Sequence, residues 1–376
     1  MKTLSKVLFI LLFFSFTAGS VAQHPEISPM ELGTKAHDFD LPGIDGKNYT
    51  LADFDEYEVL AIVFWANHCP TAQAYEDRLI ALVDEFGPKG VGFAVISPNS
   101  PDAISLSQLG YSDVSDTMED MKLRAEDKGY NFPYLYDGDD HAASIPYGPV
   151  ATPHVFIFDE ERTLRYRGRI DDTENPYIEP GTSDMRDAIK ALLAGREIEV
   201  KQTPAFGCSI KWKWDDAWAR QLEQEWAEAP VSVEAIDVEG IKELVANDSE
   251  KLRLINVWAT WCGPCVIEFP YLVEMDRMYR GRDFEFISLS VDEPNTKQRV
   301  LRFLENQEAS NKNYLFDSRN KYDLIEAVDP KWEGALPHTI LVAPGGELVA
   351  RYVGAIDPLT VRRDIIEYLG RYFADD

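Results

Sequence analysis

The chain repeats one plan. An apolar run, Val59 to Phe64, feeds Trp65-Ala66-Asn67-His68-Cys69-Pro70, and a later one, Leu252 to Val257, feeds Trp258-Ala259-Thr260-Trp261-Cys262-Gly263-Pro264-Cys265. Further along, Thr152-Pro153-His154 corresponds to Leu336-Pro337-His338. Tyr166-Arg167-Gly168-Arg169-Ile170-Asp171 then corresponds to Tyr352-Val353-Gly354-Ala355-Ile356-Asp357. Landmarks recurring in one order over so long a stretch mean a folding unit used twice, each copy long enough for its own core. Each copy reads as strand, helix, strand, helix, strand, hairpin, helix. In the first, strands are predicted near 59–65, 91–97, 154–158 and 164–170, with helices near 71–86, 118–128 and 185–194. In the second, strands fall near 252–258, 284–291, 338–343 and 348–354, with helices near 265–280, 296–307 and 360–372. Strands alternating with helices predict an α/β fold, a central mixed β-sheet flanked by helices in each copy.

Cys262-Gly263-Pro264-Cys265 carries the chemistry. An apolar strand running into C-x-x-C places two thiols one helical turn apart, close enough to form a disulfide with little backbone movement. The first thiol, at the helix N-terminus, meets unpaired N–H groups and the positive end of the dipole, which favour its thiolate. The thiolate is the form that attacks disulfides.

This segment resembles the thioredoxin family, in its secreted TlpA-like and ResA-like branch. Glu268-Phe269-Pro270 continues the C-x-x-C-x-x-E-F-P pattern of that branch. Leu336-Pro337-His338-Thr339 stands where the family keeps a cis-proline facing the disulfide. The resemblance covers roughly 232–376 and implies a thioredoxin-like fold in each copy. It makes Cys262 the attacking thiol and Cys265 the resolving one. It has Pro337 offer backbone groups to the substrate chain, and Trp261 shield the pair with Trp258 packed beneath. Asn256 departs from the buried aspartate that cytosolic thioredoxins use in proton transfer, which makes Glu268 the candidate for that role. The Gly-Pro between the cysteines matches thioredoxin itself and implies a reductant.

Residues 30–215 resemble the peroxiredoxin-like redoxins that carry N-H-C-P after the first strand. The match runs through Asn67-His68-Cys69-Pro70, Ala74 to Ile80, Phe86 to Val91, Tyr166 to Asp172 and Phe206 to Trp212. It departs from the family at Ala151, often a cysteine there. True peroxiredoxins also place Thr or Ser three residues before the cysteine and Pro seven before. Here those residues are Ala66 and Ile62, so peroxide reduction by Cys69 is weakly supported. Ala72 stands where a second C-x-x-C cysteine would be. Cys69, Cys208, His68 and Pro153 form a second candidate redox site. Three readings stay open for the cysteines: Cys69 attacks and Cys208 resolves; the two form a permanent structural disulfide; or they are unconnected thiols. A protonated His68 would enrich the Cys69 thiolate. His154 and His338 read as core or rim histidines, and Asp137-Gly138-Asp139-Asp140 as a solvated turn.

The N-terminus has a basic start, an apolar stretch from Val7 to Phe16 and small residues ending at Ala22, the pattern of a signal peptide cleaved after Ala22. Four cysteines are too few for a disulfide scaffold. The formal charge of −28 repels nucleic acid and anionic lipid. The expected organisation is a signal peptide at 1–22, a redoxin domain at 28–200, a Trp-rich helical connector at 201–231 and a TlpA-like thioredoxin domain at 232–376. In the connector, Trp214, Trp218, Leu222 and Trp226 recur at helical spacing and predict a helix packed on a domain, or alternatively one that exposes an aromatic docking face. The function expected is an exported thiol-disulfide oxidoreductase, periplasmic or else extracellular, soluble after signal cleavage. It would reduce disulfide-containing proteins through Cys262 and Cys265, without metal or organic cofactor, and be recharged by a membrane thiol donor. The alternatives are a thiol peroxidase centred on Cys69 with the second domain as reductant, or a first domain that only binds clients.

Overall fold

The computed structural model describes residues 24–372. The signal peptide expected at 1–22 lies outside the described residues.

In the first copy a hairpin, β1 (Asp40–Pro42) and β2 (Asn48–Thr50), precedes the central strand β3 (Val59–Phe64). Every residue of β3 is buried, as a strand covered on both faces requires. There follow α1 (Pro70–Phe86), β4 (Val91–Ser97), α2 (Met118–Lys128), β5 (Tyr134–Tyr136), the single turn α3 (Ser144–Tyr147), β6 (His154–Phe158), β7 (Leu164–Gly168) and α4 (Asp184–Leu193). The sheet order is β5-β4-β3-β6-β7. β3, β4 and β5 are parallel, and the β6–β7 hairpin returns antiparallel.

After α5 (Asp216–Ala227) the plan recurs: β8 (Glu234–Ile236), α6 (Val238–Ala246), β9 (Leu252–Trp258), α7 (Gly263–Tyr279), β10 (Phe284–Ser290), α8 (Lys297–Asn306), β11 (Lys312–Phe316), α9 (Lys321–Val328), β12 (His338–Val342), β13 (Leu348–Val353) and α10 (Pro358–Leu369). The order β13-β12-β9-β10-β11-β8 is that of the first sheet with one parallel edge strand added. The α/β class and the duplicated mixed sheet expected from the repeat are thus present. Short strands such as β5 and β8, three residues each, escaped the sequence reading, because so few residues carry no period.

The cores explain where the sites sit. Each sheet has a buried cluster on either face. Trp258 ends β9 and Trp65 directly follows β3, both fully buried between the central strand and its cysteine turn. The connector divides. Residues 202–212 lie along the first unit, where Gln202 bridges Arg167 and Cys208 bridges Thr152. Trp212 and Trp214 stack at 5.2 Å with His141 edge-on at 5.0 and 5.4 Å. On α5, Ala219 is buried and Trp226 takes the Arg277 guanidinium of α7 over its ring at 5.3 Å. Trp218 is half exposed, so the stripe is less completely covered than its spacing predicts. Among the described residues, no helix is long and apolar enough to cross a membrane.

Candidate functional site: two cysteine turns at helix N-termini

Cys262 caps the N-terminus of α7, its Sγ accepting from the Cys265 N–H at 3.4 Å. Pro264, in the first turn, supplies no N–H where none can be paired within the helix. The two cysteines are disulfide-bonded with Cα atoms 5.3 Å apart. Their exposures differ in a way that assigns reach: Cys262 is 7% exposed and Cys265 0%. Trp261 stands beside them with 64% of its surface exposed; it flanks the pair while remaining largely in solvent. Trp258 packs beneath, 4.7 Å from both Phe269 and Phe303.

Glu268 is buried one turn beyond Cys265. Its carboxylate accepts from Asn256 Nδ2 and from the Ile356 N–H, both at 2.9 Å. Burial pushes this carboxyl up, and the two hydrogen bonds only partly oppose it. Asn256 Nδ2 also donates to Thr339 Oγ1 at 2.9 Å, which joins β9, α7 and β12 under the disulfide. Thr260 just before the pair is fixed by Asp292, through its N–H at 2.8 Å and its hydroxyl at 2.6 Å. The Leu336–Pro337 peptide is cis. His338 is buried and stacked on Trp332 at 4.7 Å; burial pushes it down, with the Asp329 carboxylate 3.4 Å away opposing in part.

The first unit builds the same turn. Cys69 caps α1 and accepts from the Ala72 N–H at 3.4 Å, the distance seen between Cys265 and Cys262. It is fully buried. The peptide Thr152–Pro153 is cis, and the Thr152 carbonyl accepts from the Cys69 thiol at 3.1 Å. Residues 207–209 run antiparallel across Thr152, its N–H donating to Cys208 O at 2.9 Å and its carbonyl accepting from Cys208 N at 3.2 Å. Cys69 and Cys208 therefore meet at one residue, Thr152.

His68 extends this site. Its Nδ1 lies 2.8 Å from Asp116 Oδ2, with both side chains buried. Asp116 also accepts from the backbone N–H of Asn67 at 2.7 Å and of His68 at 3.2 Å, and from Asn99 Nδ2 at 2.6 Å. Burial alone would neutralise His68; the Asp116 carboxylate reverses this and raises its affinity for a proton. Burial likewise pushes the Cys69 thiol up, but the Cys208 hydrogen bond and the His68 charge outweigh it and bring it down to about 6. The proton of the pair stays on Cys208, which is pushed far up by its bond to Cys69. Lys211 adds a part-buried cation facing both sulfurs.

The structure thus gathers Cys69, Cys208 and the Thr152–Pro153 peptide at one point, with His68 next to Cys69 in the chain, and separately sets Cys262, Cys265, Glu268 and Trp261 on or beside the first turns of α7; Pro337 lies just before β12, which pairs with β9. Asp116, Asn99, Thr152 and Lys211 escaped sequence reasoning; no local spacing links them to Cys69. His154 is buried, takes the Val150 N–H on Nδ1 at 3.3 Å, and is held by burial and Arg167 at about 3. It is neutral at physiological pH. The reading of Asp137-Gly138-Asp139-Asp140 as a solvated turn is corrected. Asp137 is buried and accepts from the N–H groups of Ala143 and Ser144 at 3.1 and 2.6 Å, because α3 needs its first N–H groups capped. Only Asp139 and Asp140 face water.

Gly207 allows the strap to approach Thr152. Its φ is +137°, and a Cβ there would lie 2.0 Å from the Thr152 carbonyl oxygen. Gly207→Ala is expected to lift Cys208 off Cys69 and raise the alkylation rate of Cys208 in the reduced protein roughly tenfold, a strained backbone costing on the order of 1–3 kcal/mol. Mass spectrometry of the Cys208 peptide reads this out, and an unchanged rate would contradict the close approach.

A mixed sheet whose central strand runs into a C-x-x-C turn capping the next helix, with a cis-proline just before the neighbouring antiparallel strand, defines a thioredoxin-fold thiol-disulfide oxidoreductase. Family profiles match residues 32–167 to the AhpC/TSA family and residues 235–365 to Redoxin. The thiol-disulfide oxidoreductase ResA of Bacillus thuringiensis is 32% identical over 127 residues, covering 34% of this chain and 68% of that protein. ResA of Bacillus subtilis is 29% identical over 120 residues, covering 32% of this chain and 63% of its own length. Among solved structures, a hypothetical protein from Sinorhizobium meliloti is 31% identical with a TM-score of 0.45, covering 50% of this chain and 97% of that one. The chain belongs to the ResA-related thiol-disulfide oxidoreductases, as a tandem protein whose first unit is of AhpC/TSA type.

Proposed function

We propose that the protein reduces protein disulfides in an exported compartment, with Cys262 as nucleophile and Cys265 as resolving thiol. The observation that carries this reading is the asymmetry of the pair: Cys262 at the tip of α7 is 7% exposed, whereas Cys265 is fully enclosed. The Cys262 thiolate attacks one sulfur of the client disulfide and releases the other as a thiolate, which takes a proton from water. Cys265, losing its proton to Glu268, then attacks the Cys262 sulfur. The second client thiol leaves and the Cys262–Cys265 disulfide forms. A dithiol donor at the membrane returns two electrons. The equivalent contact in the first unit, Cys208 paired across Thr152, supports a client strand pairing across Leu336, just before Pro337. The large exposed face of Trp261 is suited to contact the client. Export and a periplasmic location rest on the signal-peptide pattern at 1–22.

A second reading concerns Cys69. The meeting of Cys69 and Cys208 at Thr152 favours a redox pair in which Cys69 attacks and Cys208 resolves. The buried Cys69 cannot meet a folded client while the strap is in place, so its reactant is small or is Cys208 itself.

The two centres are separable. Replacing Cys69 and Cys208 together by alanine is expected to leave reduction of an insulin-type substrate within about twofold of the parent, since surface-reachable Cys262 does the chemistry. Loss of more than about tenfold would mean that electrons reach the client through the first unit.

A further inference from the structure

The loop between β4 and α2 belongs to the first unit by sequence, yet it is seated in the second. Ile104 and Leu109 are buried in the core cluster formed by α7 and α10. The Gly110 carbonyl accepts from Arg282 at 3.1 Å, and the Ser112 carbonyl from the Tyr279 hydroxyl at 2.9 Å. Next comes Asp113, whose side chain is 1% exposed. Arg363 of α10 lies 3.3 Å from its carboxylate and Arg371, just beyond that helix, is bonded to it. Arg371 also reaches Gln73 Oε1 at 3.3 Å, one turn after Cys69 on α1. Three residues past Asp113, the same loop presents Asp116 to His68.

A buried carboxylate stays ionised and in place only while counter-charges hold it. The cation that the first unit itself offers Asp113 is Arg124, 3.8 Å away. Arg124 is already committed to Glu76, which it grips at 2.7 and 2.6 Å. Holding Asp113 therefore falls chiefly to Arg371, with Arg363 shared between Asp113 and Asp127 of α2.

We propose that the second unit completes the Cys69 site: Arg363 and Arg371, by pinning Asp113, hold Asp116 against His68 and so keep the imidazole beside the Cys69 sulfur. They are positioning residues, remote from the sulfur. The titratable groups facing Cys69 are His68, Cys208 and Lys211, with Asp116 behind His68; those facing Asp113 are Arg124, Arg363, Arg371 and Tyr279. The seam also runs back to the other centre. Glu268, a turn from Cys265, takes the Ile356 N–H from the segment leading into α10. The proposal rests on reading Cys69 as a thiolate site.

The test is the ultraviolet absorbance of the Cys69 thiolate against pH in the full reduced chain carrying Cys262→Ser and Cys265→Ser, with a Cys69→Ser partner for subtraction. Adding Arg363→Gln and Arg371→Gln together is expected to raise the midpoint by about one pH unit, a tenfold loss of thiolate at low pH. Lysine at both positions should restore most of it. If the double glutamine variant does not fold, Arg363→Gln alone serves, since that side chain is 36% exposed; a smaller shift in the same direction is then expected. A low parental midpoint unchanged in the glutamine variants overturns the proposal. A parental midpoint like that of a free cysteine overturns instead the reading of Cys69 on which it rests.

Discussion

Cys262→Ser is expected to lower turnover of an insulin-type disulfide substrate by about a thousandfold or more, because it removes the only sulfur of the pair that a client can reach. Cys265→Ser is expected to fail differently. The nucleophile survives, attacks and then has no thiol to release it, so the enzyme accumulates as a mixed disulfide through Cys262. Non-reducing gels and mass spectrometry of the adduct distinguish the two outcomes. The exposures decide which variant traps and which is silent: 7% for Cys262 and 0% for Cys265. The helix adds to the asymmetry, since the N-cap sulfur receives the Cys265 N–H at 3.4 Å and the dipole acts most strongly at that end. Adducts forming on Cys265 in the Cys262→Ser protein would reverse the assignment.

Asp116→Asn is expected to raise the pH at which Cys69 ionises by about two units, roughly a hundredfold less thiolate below the midpoint. Asparagine keeps an oxygen to accept the backbone N–H groups of Asn67 and His68, so the loop has reason to stay in place. What it loses is the charge that keeps buried His68 protonated. A neutral imidazole no longer draws the Cys69 proton away, and burial then pushes the thiol back up. Linkage gives a second signature. The folded value of about 6 lies below the ordinary 9.0 of a thiol. The Cys69 contribution to stability is therefore present above that ordinary value and lost as pH falls through about 6. In the reduced parent, denaturant titrations should show this contribution growing with pH across that window, and Cys69→Ser should abolish it. A midpoint still near 6 in Asp116→Asn would show that the carboxylate has no part in ionising Cys69.

Much of this was legible in the chain. Trp65 and Trp258, the two cysteine turns and the two proline loops are short-range patterns, and each states its own local geometry. An apolar run must be a buried strand, a cysteine before proline at a helix start must be a cap, and the order of these landmarks repeats. Asp116 was not legible, because its partner His68 is 48 residues away and no periodicity spans that distance. The strap is similar. Cys208 was visible as a cysteine, but its pairing across Thr152 depends on a backbone approach that Gly207 permits and that nothing nearby announces. The connector misled in part. Trp218 and Trp226 do lie on a helix, but Trp214, which the spacing placed on it, sits before α5 and stacks on Trp212 beside His141.

From its residues alone the chain determined a duplicated α/β unit, the C-x-x-C at a helix tip and the identity of the four sulfurs, because local sterics, hydrophobic period and helix-end electrostatics act between neighbours in sequence. The tertiary structure decided which of those sulfurs is reachable, that Cys69 and Cys208 meet at Thr152, and that a loop of one unit is anchored by arginines of the other. Those outcomes depend on charges and carbonyls brought together from distant parts of the chain, where only packing sets the distance and the burial.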